Sequence, residues 1–216
     1  MEFLVRDLRI DVIMLFMVIY LIAKTYRRRN ESLKHQYFHR LLWVGLMQVI
    51  LVTAILYGDT IQQMPVIVDF IILLAYFFGL CLCTYGWFMY SEITRESKLA
   101  GNKRFRLLLI VPLVIYFLLC VTSWWTKLLM YVDDDGLYQR GDWALLQFLI
   151  PSIYAVVLVF RSLERWRETK KFDAFQRGVL FFPISHAIAI VLQIMYGGDY
   201  IVIATVSSLV VAYIEL

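Results

Sequence analysis

Seven runs of apolar residues, each closed by charged or turn-forming residues, divide nearly the whole chain between them: 8–25, 41–57, 66–90, 107–125, 143–160, 178–196 and 200–216. A helix needs about 20 mostly apolar residues to cross hydrocarbon, whereas barrel strands alternate apolar and polar positions over about ten residues. The runs are too long and too continuous for strands. They predict an all-α membrane protein, a seven-transmembrane-helix bundle that forms one domain over residues 1–216. Of the 216 residues, 62% are hydrophobic, against about 45–50% in soluble domains. That surplus has to face lipid, so the bilayer is the first partner implied. No small-residue cleavage site follows the first run, which therefore reads as a retained helix rather than a signal peptide.

The loops set the orientation. Loop one holds Lys24, Arg27, Arg28, Arg29, Lys34 and Arg40; loop three holds Arg95, Lys98, Lys103, Arg104 and Arg106; loop five holds Arg161, Arg165, Arg167, Lys170, Lys171 and Arg177. Of the chain's 21 Lys and Arg, only Arg6, Arg9, Lys127 and Arg140 fall on the other side. The positive-inside rule puts loops one, three and five in the cytoplasm, the N-terminus outside and the C-terminus inside. The net charge of +4 thus reports topology and implies no nucleic acid. Pro112, Pro151 and Pro183 fall inside spans four, five and six, where each removes a backbone donor, so kinks are expected. Span two runs from Phe38-His39-Arg40 to Tyr57-Gly58-Asp59, and span six from Phe175-Gln176-Arg177 to Tyr196-Gly197-Gly198-Asp199. The echo suggests a 3+1+3 parallel pseudo-repeat, although similar turns at similar depth also follow from membrane constraints alone.

Polar residues inside the runs mark the candidate site. Asp69, Tyr76, Cys83, Trp87 and Tyr90 share one face of span three. Asp69, a turn from Pro65, and Asp11, at the start of span one, are placed to reach water. His186 follows Arg177 by nine residues, about 13 Å along span six, with Pro183 a turn before it and Gln193 a heptad after. A buried imidazole there can bind a ligand, respond to protons or donate a structural hydrogen bond. Span five offers Gln147, Pro151 and Tyr154, and span seven offers Thr205, Ser208, Ala212 and Glu215. Such stripes line a cavity or let two helices approach closely. If a cavity exists, it is expected between spans three, five, six and seven, in the outer half, walled by Tyr76, Gln147, Tyr154, His186 and Gln193.

Other chemistries lack their residues. Cys81, Cys83 and Cys120 sit inside apolar runs without metal or haem spacing. Asp133, Asp134 and Asp135 lack the alternating ligands and closing Glu of a calcium loop, and read instead as a hairpin lid turning at Asp135-Gly136. Lys171 is the last lysine, so no retinal Schiff base fits the last helices. No G-x-S-x-G or H-E-x-x-H occurs. No cofactor, metal or catalytic set is implied, and the chain is not expected to be an enzyme by itself.

Tyr131-Val132-Asp133 with Tyr138-Gln139-Arg140-Gly141, Phe182-Pro183-Ile184, and the closing Val210-Val211-Ala212-Tyr213-Ile214-Glu215-Leu216 resemble the seven-helix N-terminal sensor region of bacterial GGDEF proteins. Those are membrane-bound, diguanylate cyclase-type signalling proteins of Gram-positive anaerobes. The resemblance implies a multi-pass sensory domain in a bacterial cytoplasmic membrane. It would bind an unknown small-molecule ligand, extracytoplasmic or membrane-borne, and signal through helix seven to a cytoplasmic diguanylate cyclase domain beyond residue 216, with homodimerisation through that output. The last run ends at Glu215-Leu216 without the basic anchor of runs one, three and five, which also leads one to expect a cytoplasmic continuation. The alternative is a small seven-helix transporter of SWEET/PQ-loop-like architecture. The 3+1+3 echo favours it, but its Pro-Gln pair is missing, with only Gln63-Met64-Pro65 nearby.

The orientation is directly testable, because the native cysteines all lie in apolar runs. A membrane-impermeant thiol reagent added outside should modify Asp134→Cys and leave Arg29→Cys and Lys170→Cys unmodified; the reverse pattern inverts the topology.

Overall fold

The computed structural model of the chain describes residues 2–61, 65–97, 101–133, 137–170, 174–196 and 200–215. Among these residues the elements are α1 (Glu2–Tyr26), α2 (Leu33–Ile61), α3 (Val66–Thr94), α4 (Lys103–Thr126), β1 (Met130–Val132), β2 (Tyr138–Arg140), α5 (Leu146–Thr169), α6 (Ala174–Tyr196) and α7 (Tyr200–Ile214). The fold is all-α apart from one short hairpin. Five stretches are long and apolar enough to cross a membrane: Leu33–Tyr57, Val66–Thr94, Lys103–Thr126, Leu146–Thr169 and Gln176–Met195. They give the chain the character of a multi-pass membrane protein. α7 has 15 residues, about 22 Å at a 1.5 Å rise, shorter than the roughly 30 Å of a hydrocarbon core.

The helices overrun the apolar runs. α2 begins at Leu33 and α5 continues to Thr169, because Lys, Arg, Gln and Glu propagate a helix about as well as Leu does. An apolar run marks where hydrocarbon can surround a helix, not where the helix stops. Asn102 caps α4, its side chain accepting from the Arg104 N–H at 3.0 Å. The expected hairpin is present, with Met130, Tyr131 and Val132 opposite Arg140, Gln139 and Tyr138. Asp133 serves that hairpin, its carboxylate accepting from the Leu137 N–H and the Gln139 amide, each at 2.8 Å. The turn expected at Asp135-Gly136, the turn at Gly197 to Asp199, and Gln63-Met64 lie outside the described residues. Asp11 is a departure from expectation. It is 3% exposed, on a helix that packs against α2 and α7.

α3 is the hub. It packs against α2, α4, α5, α6 and the hairpin, while α7 closes the ring by lying on α6, α2 and α1. Little drives helices together in lipid beyond close packing and interhelical hydrogen bonds, so small residues decide where backbones meet. Gly79 and Gly86, a heptad apart on α3, receive Gln48 and Leu41, a heptad apart on α2. Gln48 lies so close that a Cβ on Gly79 would stand 1.9 Å from its Nε2, and that Nε2–H donates to the Tyr76 carbonyl at 3.3 Å. Gly45 does the same for α7, under Leu209.

Gly141, where the hairpin leaves for α5, has the tightest backbone surroundings. A Cβ there would sit 2.2 Å from the Lys127 carbonyl oxygen and 2.4 Å from that of Leu128, and neither can swing away as a side chain does. Gly141→Ala should therefore destabilise the protein by about 1–3 kcal/mol, as overpacking does. Thermal unfolding in detergent checks this, with Gly101→Ala, which meets nothing within 4 Å, as the neutral control.

Candidate functional site

The site is organised by two prolines. Pro151 lies in the second turn of α5 and has no N–H to offer the Gln147 carbonyl four residues earlier. The phenol of Tyr116, on α4, donates to that carbonyl at 3.3 Å. A reciprocal bond runs the other way, from the Tyr154 hydroxyl of α5 to the Leu109 carbonyl of α4 at 2.6 Å, in the turn before Pro112. The side chain of Gln147 joins α5 to the hairpin: Nε2–H donates to the Leu129 carbonyl at 2.6 Å, and Oε1 accepts from the Tyr138 hydroxyl at 3.5 Å. Burial holds the Tyr138 phenol above its ordinary pKa, so it stays a donor. Gln147 is thus committed on both sides of its amide.

Pro183 lies midway along α6, where it has no N–H to offer the Val179 carbonyl, and His186 lies one turn beyond it. Its Nδ1 is 2.9 Å from the Phe182 carbonyl and its Nε2 is 2.9 Å from Thr205 Oγ1 on α7. A carbonyl only accepts, so Nδ1 carries the proton, and in the neutral ring Nε2 accepts from the Thr205 hydroxyl. That hydroxyl is also 2.9 Å from the Ile201 carbonyl, so its single proton is shared between two acceptors. A second rung, Ser185 Oγ to Ser208 Oγ at 3.1 Å, again ties α6 to α7. The ring of His186 packs on Phe182 with centroids 4.0 Å apart, and Phe182 stacks on Trp87 at 4.8 Å. An aromatic column therefore runs from α3 through α6 to the histidine that touches α7.

Between these helices lies a cavity of about 480 Å³, within the usual size of small-molecule pockets, about 300–1,000 Å³. Its walls come from α3 (Leu80 and Thr84), α5 from Gln147 to Phe160, α6 from Pro183 to Ile190, and Ile201 of α7. These are the four helices the sequence points to. Of the five side chains singled out there, Gln147 and His186 line the cavity. The other three are turned elsewhere. Tyr154 is buried against Tyr85, its hydroxyl on α4; Tyr76 is buried edge-on to Phe77; and Gln193 is half-buried, further along α6. The cavity also reaches beyond one half of the bundle, since Gln147 and Phe160 are 13 residues apart, about 20 Å of helix.

Sequence reasoning passed over the apolar wall, Leu80, Phe148, Val159 and Ile190, because residues facing a dry cavity and residues facing lipid are of the same types. It also missed Glu92, near the basic end of α3. Glu92 is fully buried, and its carboxylate takes the Arg161 guanidinium through Nε and Nη2, each at 3.4 Å, with Arg95 Nη1 at 3.7 Å. Arg95 in turn donates to Ser162 at 2.6 Å, and Arg161 also pairs with Glu164. This cluster pins α3 to α5 at the end opposite the hairpin. Among the described residues, no three metal-ligating side chains come together.

The bond from Tyr116 can be isolated by a double-mutant cycle. Tyr116→Phe alone leaves the Gln147 carbonyl buried without its donor and should cost about 1–3 kcal/mol. In a Pro151→Ala background the alanine N–H serves that carbonyl, so the same change should cost clearly less. Equal costs in both backgrounds, by thermal unfolding, would mean the phenol does not compensate the proline.

No protein-family model matches the chain and no curated protein matches it.

Proposed function

We propose that the chain is a sensory domain: a seven-span bundle, N-terminus outside and C-terminus in the cytoplasm, that binds a small ligand in the cavity and signals through α7. One observation carries this reading. His186 lines the cavity and its Nε2 sits on Thr205 of α7, while Ile201, a turn before Thr205, lines the same cavity. A ligand that fills the cavity and presses on the His186 ring or on Ile201 therefore acts on the contact between α6 and α7 without an intermediary. Signalling needs two arrangements of α7 and a ligand with unequal affinity for them, and the shared Thr205 proton offers two arrangements of that contact. The resemblance to the sensor regions of GGDEF proteins supplies the rest of the proposal: a bacterial cytoplasmic membrane, and an output domain of the diguanylate cyclase type.

The Gln147 carboxamide bonded to the hairpin favours a sensor over a transporter, which has to open a midplane site to each side in turn. Two measurements test the reading. Proteoliposomes holding the protein should show no protein-dependent uptake of labelled glucose or of an amino-acid mixture, and flux would overturn the sensory role. In the full-length protein, Thr205→Val and Ser208→Ala should each shift basal output several-fold at equal membrane abundance. Unchanged output from both removes α7 as the route.

A further inference from the structure

We propose that the cavity takes the hydrocarbon chain of a bilayer lipid, which enters sideways between α5 and α6. The proposal rests on the sensory reading for its consequence, but on the cavity alone for its chemistry.

Four lining side chains are polar, Thr84, Gln147, Ser152 and His186, and each is already engaged inside the protein. Thr84 Oγ1 donates to the Cys81 carbonyl at 2.9 Å and Ser152 Oγ to the Phe148 carbonyl at 2.6 Å. Gln147 is held by the hairpin and His186 by Phe182 and Thr205. A sugar, amino acid or nucleotide placed here would find its hydrogen-bonding groups unmatched, or would have to break these bonds, at a cost for every group left dry. A hydrocarbon chain asks for none of them. It gains only the contact that Leu80, Phe148, Ala155, Val159, Ile190 and Ile201 offer.

Val156 and Phe160 on α5, with Ile184 and Ile188 on α6, line the cavity and are also 51%, 67%, 56% and 56% exposed, whereas Leu80 and Ile201 at its back are 6% and 3% exposed. The cavity therefore opens through the side wall, between two helices that each carry a stretch fit to cross a membrane. What lies outside such a wall is acyl chain. At the hairpin end, Gln147 is tied to Leu129, itself fully buried. The space follows α5 for 13 residues from Gln147 to Phe160, about 20 Å, a shape that suits an extended chain better than a compact solute. Inserted to the back wall, the chain end would reach Ile201 and the His186 ring.

The general lipid coat of any membrane protein is the alternative, and α4 supplies the internal control. Leu107, Leu108, Val111 and Leu118 on α4 are 66%, 67%, 51% and 55% exposed and line no part of the cavity. The whole chain, reconstituted in phosphatidylcholine vesicles doped with a phospholipid carrying a diazirine near the end of one acyl chain, is irradiated and its peptides mapped. Adducts on residues 148–160 and 184–190 should exceed those on 107–118 several-fold. Ala155→Phe, which fills the cavity, should bring them down to the α4 level, and Ala187→Phe on the facing wall should do the same. Thermal unfolding identifies a variant that has not folded, in which case the comparison within the wild-type protein decides alone. Equal labelling of the three segments, or labelling of the α5 and α6 segments that persists in folded variants of both kinds, overturns the proposal. A free fatty acid bearing the same diazirine, added without the labelled phospholipid, forms the second arm; adducts from it alone would overturn the bilayer lipid as the source. The labelling reads occupancy without any output. Its failure sinks the hydrocarbon ligand and leaves the sensory role to another ligand, whereas specific labelling together with unchanged output in the α7 variants sinks the sensory role and leaves the site.

Discussion

Backbone groups surrounded by hydrocarbon have no water to turn to, and each proline inside a helix leaves one carbonyl without its usual donor. At Pro151 the bundle answers with the Tyr116 phenol on the Gln147 carbonyl. Much else depends on that answer. It fixes α4 beside α5, and with Gln147 so placed, its side chain can reach Leu129 and Tyr138 and hold the hairpin against the helices. The Tyr154 hydroxyl completes the exchange by bonding back to α4. A tyrosine near a proline is thereby consumed as a backbone partner, which is why Tyr154 faces away from the cavity its helix lines.

The cavity itself follows from unequal packing around α3. α2 fits closely on α3 because Gly79 and Gly86 admit Gln48 and Leu41, and α7 fits closely on α6 through the His186–Thr205 and Ser185–Ser208 rungs. α5 is tied to α4, to the hairpin and, through Arg161 and Glu92, to α3. Between α5 and α6, branched and aromatic side chains such as Val156, Phe160, Ile184 and Ile188 stand out toward the exterior. The cavity opens beneath these side chains, and Pro151 and Pro183 both line it.

The two ends of the bundle use different physics. At the hairpin end, neutral hydrogen bonds to Gln147 do the joining. At the basic end a buried carboxylate, Glu92, collects Arg161 and Arg95. Removing one partner of such a group leaves an uncompensated buried charge, which is costly. The Glu92 cluster thus clamps α5 to α3 at the basic end, while at the hairpin end α5 is held by the hairpin and α4.

The sequence by itself determined the helical class, the approximate place of the helices among the described residues and the hairpin after α4, because all of these follow from local hydrophobicity, charge and turn residues. It also singled out Gln147 and His186, since polar side chains inside apolar runs need partners. Only the tertiary structure decided what those partners are. Tyr154 and Gln193 share the sequence pattern of Gln147 and His186 yet do not line the cavity, for a helical face says which residues point one way and nothing of what stands opposite. Glu92 and Arg161 are 69 residues apart, and the apolar lining is written in the same residue types as the lipid-facing surface. Which apolar residues enclose a space and which face the bilayer depends on how the helices stand around one another, and no single helix carries that information.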